Sequence, residues 1–300
     1  MTTAPQVVRI ALKNILFPTD FSPASDAALP FALALAKIYG STILMAHAVP
    51  AEPMLQVVPD RIPAQDDQDW QQAREKLAEC TRNVALGDIP CKAVLNRGDL
   101  SNVIPAMVEK CRADLVVLGT HGRRGVSKMM LGSGAEQIYR SAPCPVLTVG
   151  PKAKAGADWK PRRILCPVEL TAHDGDRDPE SALLYGLSLA EENEAQFLVL
   201  QAVPLVPWQH REAVAQQTRE GLERLLPPQA RDWCTPEFIV RWEHPAEAIL
   251  RTAADREADL IVMGVHRSRA AARSLAAHLP WPVASEVVSR AACPVLTVRV

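Results

Sequence analysis

The first half of the chain alternates between short, almost wholly apolar runs and longer stretches in which apolar residues recur at helical spacing. ILFP (15–18), TILMAHAV (42–49), CKAVLN (91–96), DLVVLG (114–119) and PVLTVG (145–150) predict strands. ALPFALALAKIYG (28–40), DWQQAREKLAECTRNVAL (69–86), NVIPAMVEKCRA (102–113) and GAEQIYRSA (134–142) predict the helices between them. Strands without a polar face, separated by amphipathic helices, indicate a parallel sheet covered on both sides and joined by right-handed crossovers. One stretch, PAEPMLQVVPDRIPAQDDQDW (50–70), fits neither period and is expected to be a long, mobile loop before the second helix.

The same pattern then runs a second time. NILFPTDFS (14–22) matches RILCPVELT (163–171), RADLVVLGTHGR (112–123) matches EADLIVMGVHRS (257–268), and APCPVLTVG (142–150) matches AACPVLTVR (291–299). The offset is 149 residues at the first and third matches and 145 at the second, so order and spacing are kept. The chain is therefore a tandem duplication, with domains expected at 1–152 and 160–300 and a link near PKAKAGADWKPRR (151–163). Each half is expected to be a five-stranded α/β unit with its CPVLTV strand at the sheet edge. Two such apolar edges could pack about a pseudo-twofold axis as an intrachain pseudo-dimer, and the remaining surface leaves a homodimer open.

Composition narrows the classes of function. A formal net charge of −1 supplies no global field to attract nucleic acid or an anionic membrane. No stretch approaches the roughly 20 apolar residues of a membrane span, and the N-terminus does not read as a signal peptide, so a soluble cytoplasmic protein is expected. The seven cysteines form no CxxC and several sit in apolar runs, as reduced core thiols do. The seven histidines form no HxxxH or Cys/His cluster, and no zinc site is expected.

In an open parallel sheet, ligands bind beyond the carboxyl ends of the strands. Four stretches meet there: PTDFS after the first strand, HAVP after the second, RGDLS after the third, and GTHGRRGVSKMMLGS after the fourth. Gly119 and Gly122 would let backbone approach an anion, and Gly132-Ser133-Gly134 opens a helix whose first N–H groups lack partners. Together these make a phosphate cradle, which Arg123, Arg124 and Lys128 could neutralise. Asp20, across the crevice, could accept from a base amine or a ribose hydroxyl. Each residue also has a plainer reading: glycines after strands make turns, Ser133 could be only an N-cap, and Asp20-Phe21-Ser22-Pro23 could simply start a helix. His47 and His121 read as hydrogen-bonding residues rather than catalysts. Asp114 and Asp259, at the opposite strand ends, read as turn or capping residues.

PTDFS, the spacing G-x2-G-x9-G-S after the fourth strand, and the closing PCPVLTV strand strongly resemble the universal stress protein family. The likeness covers the first half nearly end to end and the second more weakly, so the chain resembles a tandem two-domain member. That resemblance implies two Rossmann-like domains of the adenine nucleotide alpha hydrolase kind. It also implies ATP as ligand, an adenine contact from Asp20, a backbone contact from Ala48, and a lining role for Gly98 and Leu118. The phosphate and ribose contacts would come from Gly119, Gly122, Arg123, Gly132, Ser133 and Gly134. Mg²⁺ could accompany ATP through phosphate oxygens.

The second half departs from this pattern. Asp20 becomes Glu169, Gly98 aligns near His244, Gly119 survives as Gly264, and Gly122 becomes Arg267. Counting back from Glu136 and Glu286, Gly132 and Ser133 become Pro282 and Val283, in a loop five residues longer. Only the first half is expected to hold nucleotide. With no GxxxxGK[ST] motif, a regulatory, stress-related role is expected rather than fast turnover, with slow hydrolysis left open. The alternatives are a nucleotide-free dimerisation scaffold and a nucleotidyl transferase. The latter needs HxGH-like and KMSKS-like elements, and VSKMML stands in the wrong place for one.

Overall fold

The computed structural model of the protein describes residues 10–50, 64–85, 87–120, 133–156, 159–170, 179–203, 207–228, 230, 234–265 and 281–299. The first half forms β1 (Asn14–Pro18), α1 (Pro23–Tyr39), β2 (Thr42–Val49), α2 (Ala64–Ala85), β3 (Cys91–Arg97), α3 (Leu100–Cys111), β4 (Leu115–Gly119), α4 (Ser133–Ser141) and β5 (Val146–Val149). The second forms β6 (Arg163–Pro167), α5 (Pro179–Asn193), β7 (Gln196–Ala202), a short 3₁₀ turn at Trp208–His210, α6 (Arg211–Leu225), β8 (Glu237–Arg241), α7 (Pro245–Asp255), β9 (Leu260–Val265), α8 (Trp281–Arg290) and β10 (Val295–Arg299).

Two helices begin five residues earlier than periodicity indicates. α1 starts at Pro23, capped by the Ser22 side chain, which accepts from the Ser25 amide at 3.4 Å. α2 starts at Ala64, so residues 64–70 are helical and not part of a loop. That stretch of about two turns, AQDDQDW, is largely polar and carries no apolar stripe, while its acidic residues suit a helix start. The rest of the expected loop, 51–63, lies outside the described residues.

By compactness the chain divides within β5: Ala11–Val146 belongs to one unit, and Leu147–Lys154 belongs to the other with Trp159–Val300. In the N-terminal unit the strand order is β3-β2-β1-β4, and every pairing of β1 with β2 and β4, and of β2 with β3, is parallel. In the C-terminal unit the order is β8-β7-β6-β9-β10-β5, with parallel pairs from β8 to β10. β10 thus has β9 on one side and β5 on the other, so the two CPVLTV strands lie side by side, as expected of two apolar edges that pack together. Thr148 Oγ1 donates to the Val295 carbonyl at 3.0 Å between these last two strands. The first strands of the two orders are β3, with no buried residue, and β8, with only Ile239 buried. The central strands β1, β4, β6 and β9 are buried along most of their length, as a sheet covered on both faces requires. Fully buried Phe17, Phe31 and Phe197 anchor these cores, each contributing about 2–3 kcal/mol by burial.

The duplication is visible in hydrogen bonds as well as letters. Asp114 Oδ2 accepts from the Lys13 and Asn14 amides at 2.8 and 2.9 Å, and Asp259 Oδ2 accepts from the Arg162 and Arg163 amides at 3.1 and 2.9 Å. Both carboxylates brace the start of the neighbouring strand, as their place in the sequence suggested. Helices α3 and α7 end alike, on left-handed Arg112 (φ 50°) and Glu257 (φ 49°). The following amides, of Ala113 and Ala258, reach back to the carbonyls of Val108 and Ala253. All seven cysteines are free thiols. Burial pushes the Cys166 and Cys293 thiols up to about 12, so both are protonated hydrophobes at neutral pH.

Candidate functional site

The carboxyl ends of β1 to β4 lie on one side of the N-terminal sheet, and its topological switch falls between β1 and β4. The chain leaving β1 there is tied down closely. The Thr19 amide donates to the Ala46 carbonyl at 2.8 Å, and the Phe21 amide donates to Thr19 Oγ1 at 3.0 Å. Asp20 Oδ1 accepts from the Ser22 amide at 3.0 Å and from Ser25 Oγ at 2.7 Å. Phe21 between them is left-handed at φ 58°, a conformation costing about 1–2 kcal/mol for a residue with a Cβ. Half-buried Asp20 therefore organises the start of α1 and stands at the mouth of the switch crevice at once. The two sequence readings of Asp20 are compatible.

On β2, His47 Nδ1 lies 2.6 Å from the Thr19 carbonyl, and its ring centroid is 4.6 Å from that of Phe21. Lys76 of α2 places Nζ 5.9 Å from the centre of the Phe21 ring. Ala48 pairs in register with Asn96 of β3, and two residues further Gly98 donates its amide to the Val49 carbonyl at 2.9 Å. Gly98 has φ 135°, where a side chain is strained, and a Cβ would meet Val103 Cγ2 at 3.0 Å. Leu118 is buried in the core with Ala46, Val103 and Ile138, and Ala48 packs against that cluster.

Gly119 has a reason of its own. A Cβ there would sit 2.3 Å from the Ala24 carbonyl oxygen, in the first turn of α1. The close approach of β4 to α1 demands glycine whether or not a ligand is present. Ser133 and Gly134 are the first two residues of α4, so their amides belong to the unpaired set at a helix start. Gly122, Arg123 and Gly132, with His121, Arg124 and Lys128, lie outside the described residues. Sequence reading missed Phe21, Ser25 and Lys76, since neither spacing nor composition marks them before the β1 turn is seen.

The second half builds its edge differently. The Val168 amide donates to the Leu200 carbonyl at 2.8 Å, matching Thr19 and Ala46. Beyond that point the Leu170 amide donates to Gln201 Oε1 at 3.0 Å, and Gln201 occupies the place of His47 in strand register. A Cβ on Gly221 would meet Leu170 Cδ1 at 2.9 Å, so Leu170 rests directly on α6. The bond starting α3, from the Val103 amide to the Asp99 carbonyl, recurs in α7 from Ala248 to His244. The counterpart of Gly98 is therefore Glu243, one residue before the one estimated from sequence, and Glu243 pairs with Arg251 at 2.6 Å.

Helices α4 and α8 close with the Ala142 amide on Ile138 and the Ala291 amide on Val287. This register keeps the 149-residue offset of CPVLTV and corrects the alignment through Glu136 and Glu286 by one position. Gly132, Ser133 and Gly134 correspond to Trp281, Pro282 and Val283, and the second loop is four residues longer rather than five. The chemical contrast is stronger than first read: a tryptophan, a proline and a valine replace two glycines and a serine.

Among the described residues no group of His, Cys, Asp or Glu is arranged to hold a metal ion, and no helix is long and apolar enough to cross a membrane.

Comparison with known proteins agrees with this repeat. The model of the universal stress protein family matches residues 11–150 and again 162–299. A universal stress protein of Methanocaldococcus jannaschii is 29% identical over 143 residues, covering 46% of this chain and 81% of its own. One from Thermus aquaticus is 34% identical over 140 residues, covering 46% of this chain and 98% of its own. The crystal structure of a universal stress protein from Archaeoglobus fulgidus matches at a TM-score of 0.68 and 17% identity, covering 95% of this chain and 98% of that one, a likeness of fold. With both halves matched by one family model and the duplicated α/β architecture in place, the chain belongs to the universal stress protein family as a tandem two-domain member.

Proposed function

We propose that the first half, residues 1–152, binds one adenine nucleotide and that the second, 160–300, does not bind it in the same way. ATP is the ligand this reading favours, and it acts by shifting conformation or partner choice in a stress-related role rather than by fuelling fast turnover. One observation carries the proposal. The strand-end edge of the first half combines Asp20, Gly98 and a helix starting at Ser133-Gly134 after a glycine-spaced basic loop, and the second half replaces each. The second half folds with those replacements, so the fold does not require that combination of residues at this edge. Asp20, Ala48, Gly98 and Leu118 would meet the base and ribose. Gly119, Gly122, Arg123, Gly132, Ser133 and Gly134 would meet ribose and phosphates, where a helix N-terminus favours negative charge. Since no described carboxylate group is arranged to hold a cation, Mg²⁺ would arrive on the phosphate oxygens. Free thiols, three buried and four half-buried, fit the reducing cytoplasm.

A second reading, a scaffold without nucleotide, draws on Asp20 and Gly119. The carboxylate already serves the α1 start, and the glycine is demanded by Ala24. Acid extraction of the purified protein followed by chromatography separates the two, together with a thermal-shift titration with millimolar ATP. ATP or ADP in the extract, or a rise in melting temperature that saturates with ATP, is the expected result. An empty extract and no shift select the scaffold.

A further inference from the structure

We propose that His47 is a positioning residue for the nucleotide site, fixing the turn that presents Asp20 without itself being the group that reads the base. This rests on the reading that the first half binds ATP. Thr19 Oγ1 aside, the turn is held to β2 at two points: the Thr19 amide donates to the Ala46 carbonyl at 2.8 Å, and the Thr19 carbonyl accepts from His47 at 2.6 Å. A carbonyl can only accept, so the proton lies on Nδ1 of the imidazole. The same ring lies 4.6 Å, centroid to centroid, from Phe21 at an angle of 37°. Phe21 is the left-handed residue immediately after Asp20, and Lys76 covers its ring at 5.9 Å. His47 thus grips the peptide before Asp20 and the side chain after it. The carboxylate between them is aimed by those neighbours, and its Oδ1 is then set by Ser22 and Ser25.

The other copy shows what happens when this grip changes. Gln201, in the place of His47, accepts from the amide of Leu170 and donates Nε2 to the Ala202 carbonyl at 2.7 Å. The donor sense is reversed and the hold has moved from before the acidic residue to after it. Leu170, the counterpart of Phe21, lies against Gly221, where the first half has Lys76 over its aromatic ring. Glu169 is accordingly offered from a differently tethered turn. A longer carboxylate side chain and a reversed tether go together, and both separate the second half from the first.

The test uses the full chain with His47→Ala and His47→Asn, the latter keeping an N–H donor at the δ position. Two quantities are read: the dissociation constant for ATP, and amide hydrogen exchange at Phe21 and Ser22 without nucleotide. His47→Ala is expected to weaken ATP roughly tenfold, the scale of one lost hydrogen bond, and to speed exchange at both amides. His47→Asn is expected to recover most of both, with the melting temperature of the two variants alike. Unchanged exchange at Phe21 and Ser22 in His47→Ala overturns the positioning role whatever the affinity does. Faster exchange with unchanged affinity overturns its link to the ligand. Wild-type protein that fails to bind ATP overturns the nucleotide reading, and this inference falls with it, an outcome visible in the control alone. Nitrogen NMR of the wild-type ring supplies a check that no folding defect can blur: a neutral ring protonated on Nε2 instead of Nδ1 contradicts the proposal.

Discussion

The two halves share what holds the sheet together and differ where the sheet ends. Asp114 and Asp259 make the same pair of amide contacts, α3 and α7 stop on a left-handed residue at the same position, and the first bond beyond β1 recurs beyond β6. Past that bond the copies part: Asp20 against Glu169, His47 against Gln201, Gly98 against Glu243, Ser133 against Pro282. Gly119 is kept as Gly264 while its companions are lost, and the missing Cβ of Gly119 faces a neighbouring backbone at 2.3 Å. A duplicated chain thus separates glycines required by packing from glycines required by something else. Retention goes with the backbone contact of Gly119, whereas Gly98, replaced by Glu243, answers to its own positive φ of 135° in the first half.

The strongest way to break this comparison is to make the first half resemble the second. Gly122→Arg, which copies Arg267, is expected to weaken ATP at least 100-fold, about 3 kcal/mol. Titration calorimetry on the unaltered chain should give one site per chain. Two sites of equal affinity would end the claim that the halves differ in ligand binding. Next in size is Gly119→Ala. Because the new methyl would press on the Ala24 carbonyl, a stability loss of about 2–3 kcal/mol is expected in denaturant unfolding, with or without nucleotide. A variant that folds normally and loses only ATP would return Gly119 to the ligand class.

Much of this was legible in the letters. Each predicted strand lies within two residues of an observed one, the central ones because a strand buried on both faces leaves an unbroken apolar run. Helix starts were harder. The first turn of α1, Pro23-Ala24-Ser25-Asp26, and that of α2, AQDD, are set by capping and charge, which carry no hydrophobic period. The place of β10 beside β5 was legible only as a packing of two apolar edges, because strand order depends on contacts remote in sequence. At the site, Asp20 and Gly98 were legible as strand-end residues. Phe21, Ser25 and Lys76 were not, since their roles exist only once the β1 turn has folded onto β2 and α2. The one-residue slip at α8 arose from a shared glutamate, and the helix-closing hydrogen bonds removed it.

The shared features can be tested for equality. Asp114→Ala and Asp259→Ala each free two strand-start amides, so each should cost about 1–2 kcal/mol. Both sites are partly solvated, which keeps the figure below that of a buried pair. Equal losses in urea unfolding support a common brace, whereas a loss at one site only would mean the copies have ceased to share it.

The smallest expected effect lies where the halves solve one problem with different residues. α1 ends on Gly40 at φ 65°, with the Ser41 amide returning to the Ala36 carbonyl at 2.9 Å. α5 ends on Glu194 at φ 53°, with the Ala195 amide returning to Ala190 at 2.8 Å. The motif is the same, but Glu194 carries a Cβ into the left-handed region at a cost of about 1–2 kcal/mol. Glycine would remove that cost and give back about 0.4–1 kcal/mol through the greater freedom of the unfolded chain. The first quantity is the larger, so Glu194→Gly should stabilise the protein by roughly 0.5 kcal/mol. Gly40→Ala, with nothing within 4 Å of the added Cβ, should destabilise by a similar amount through backbone strain alone. If both substitutions shift stability in the same direction, the two helix ends are not held alike and the equivalence drawn from their hydrogen bonds fails.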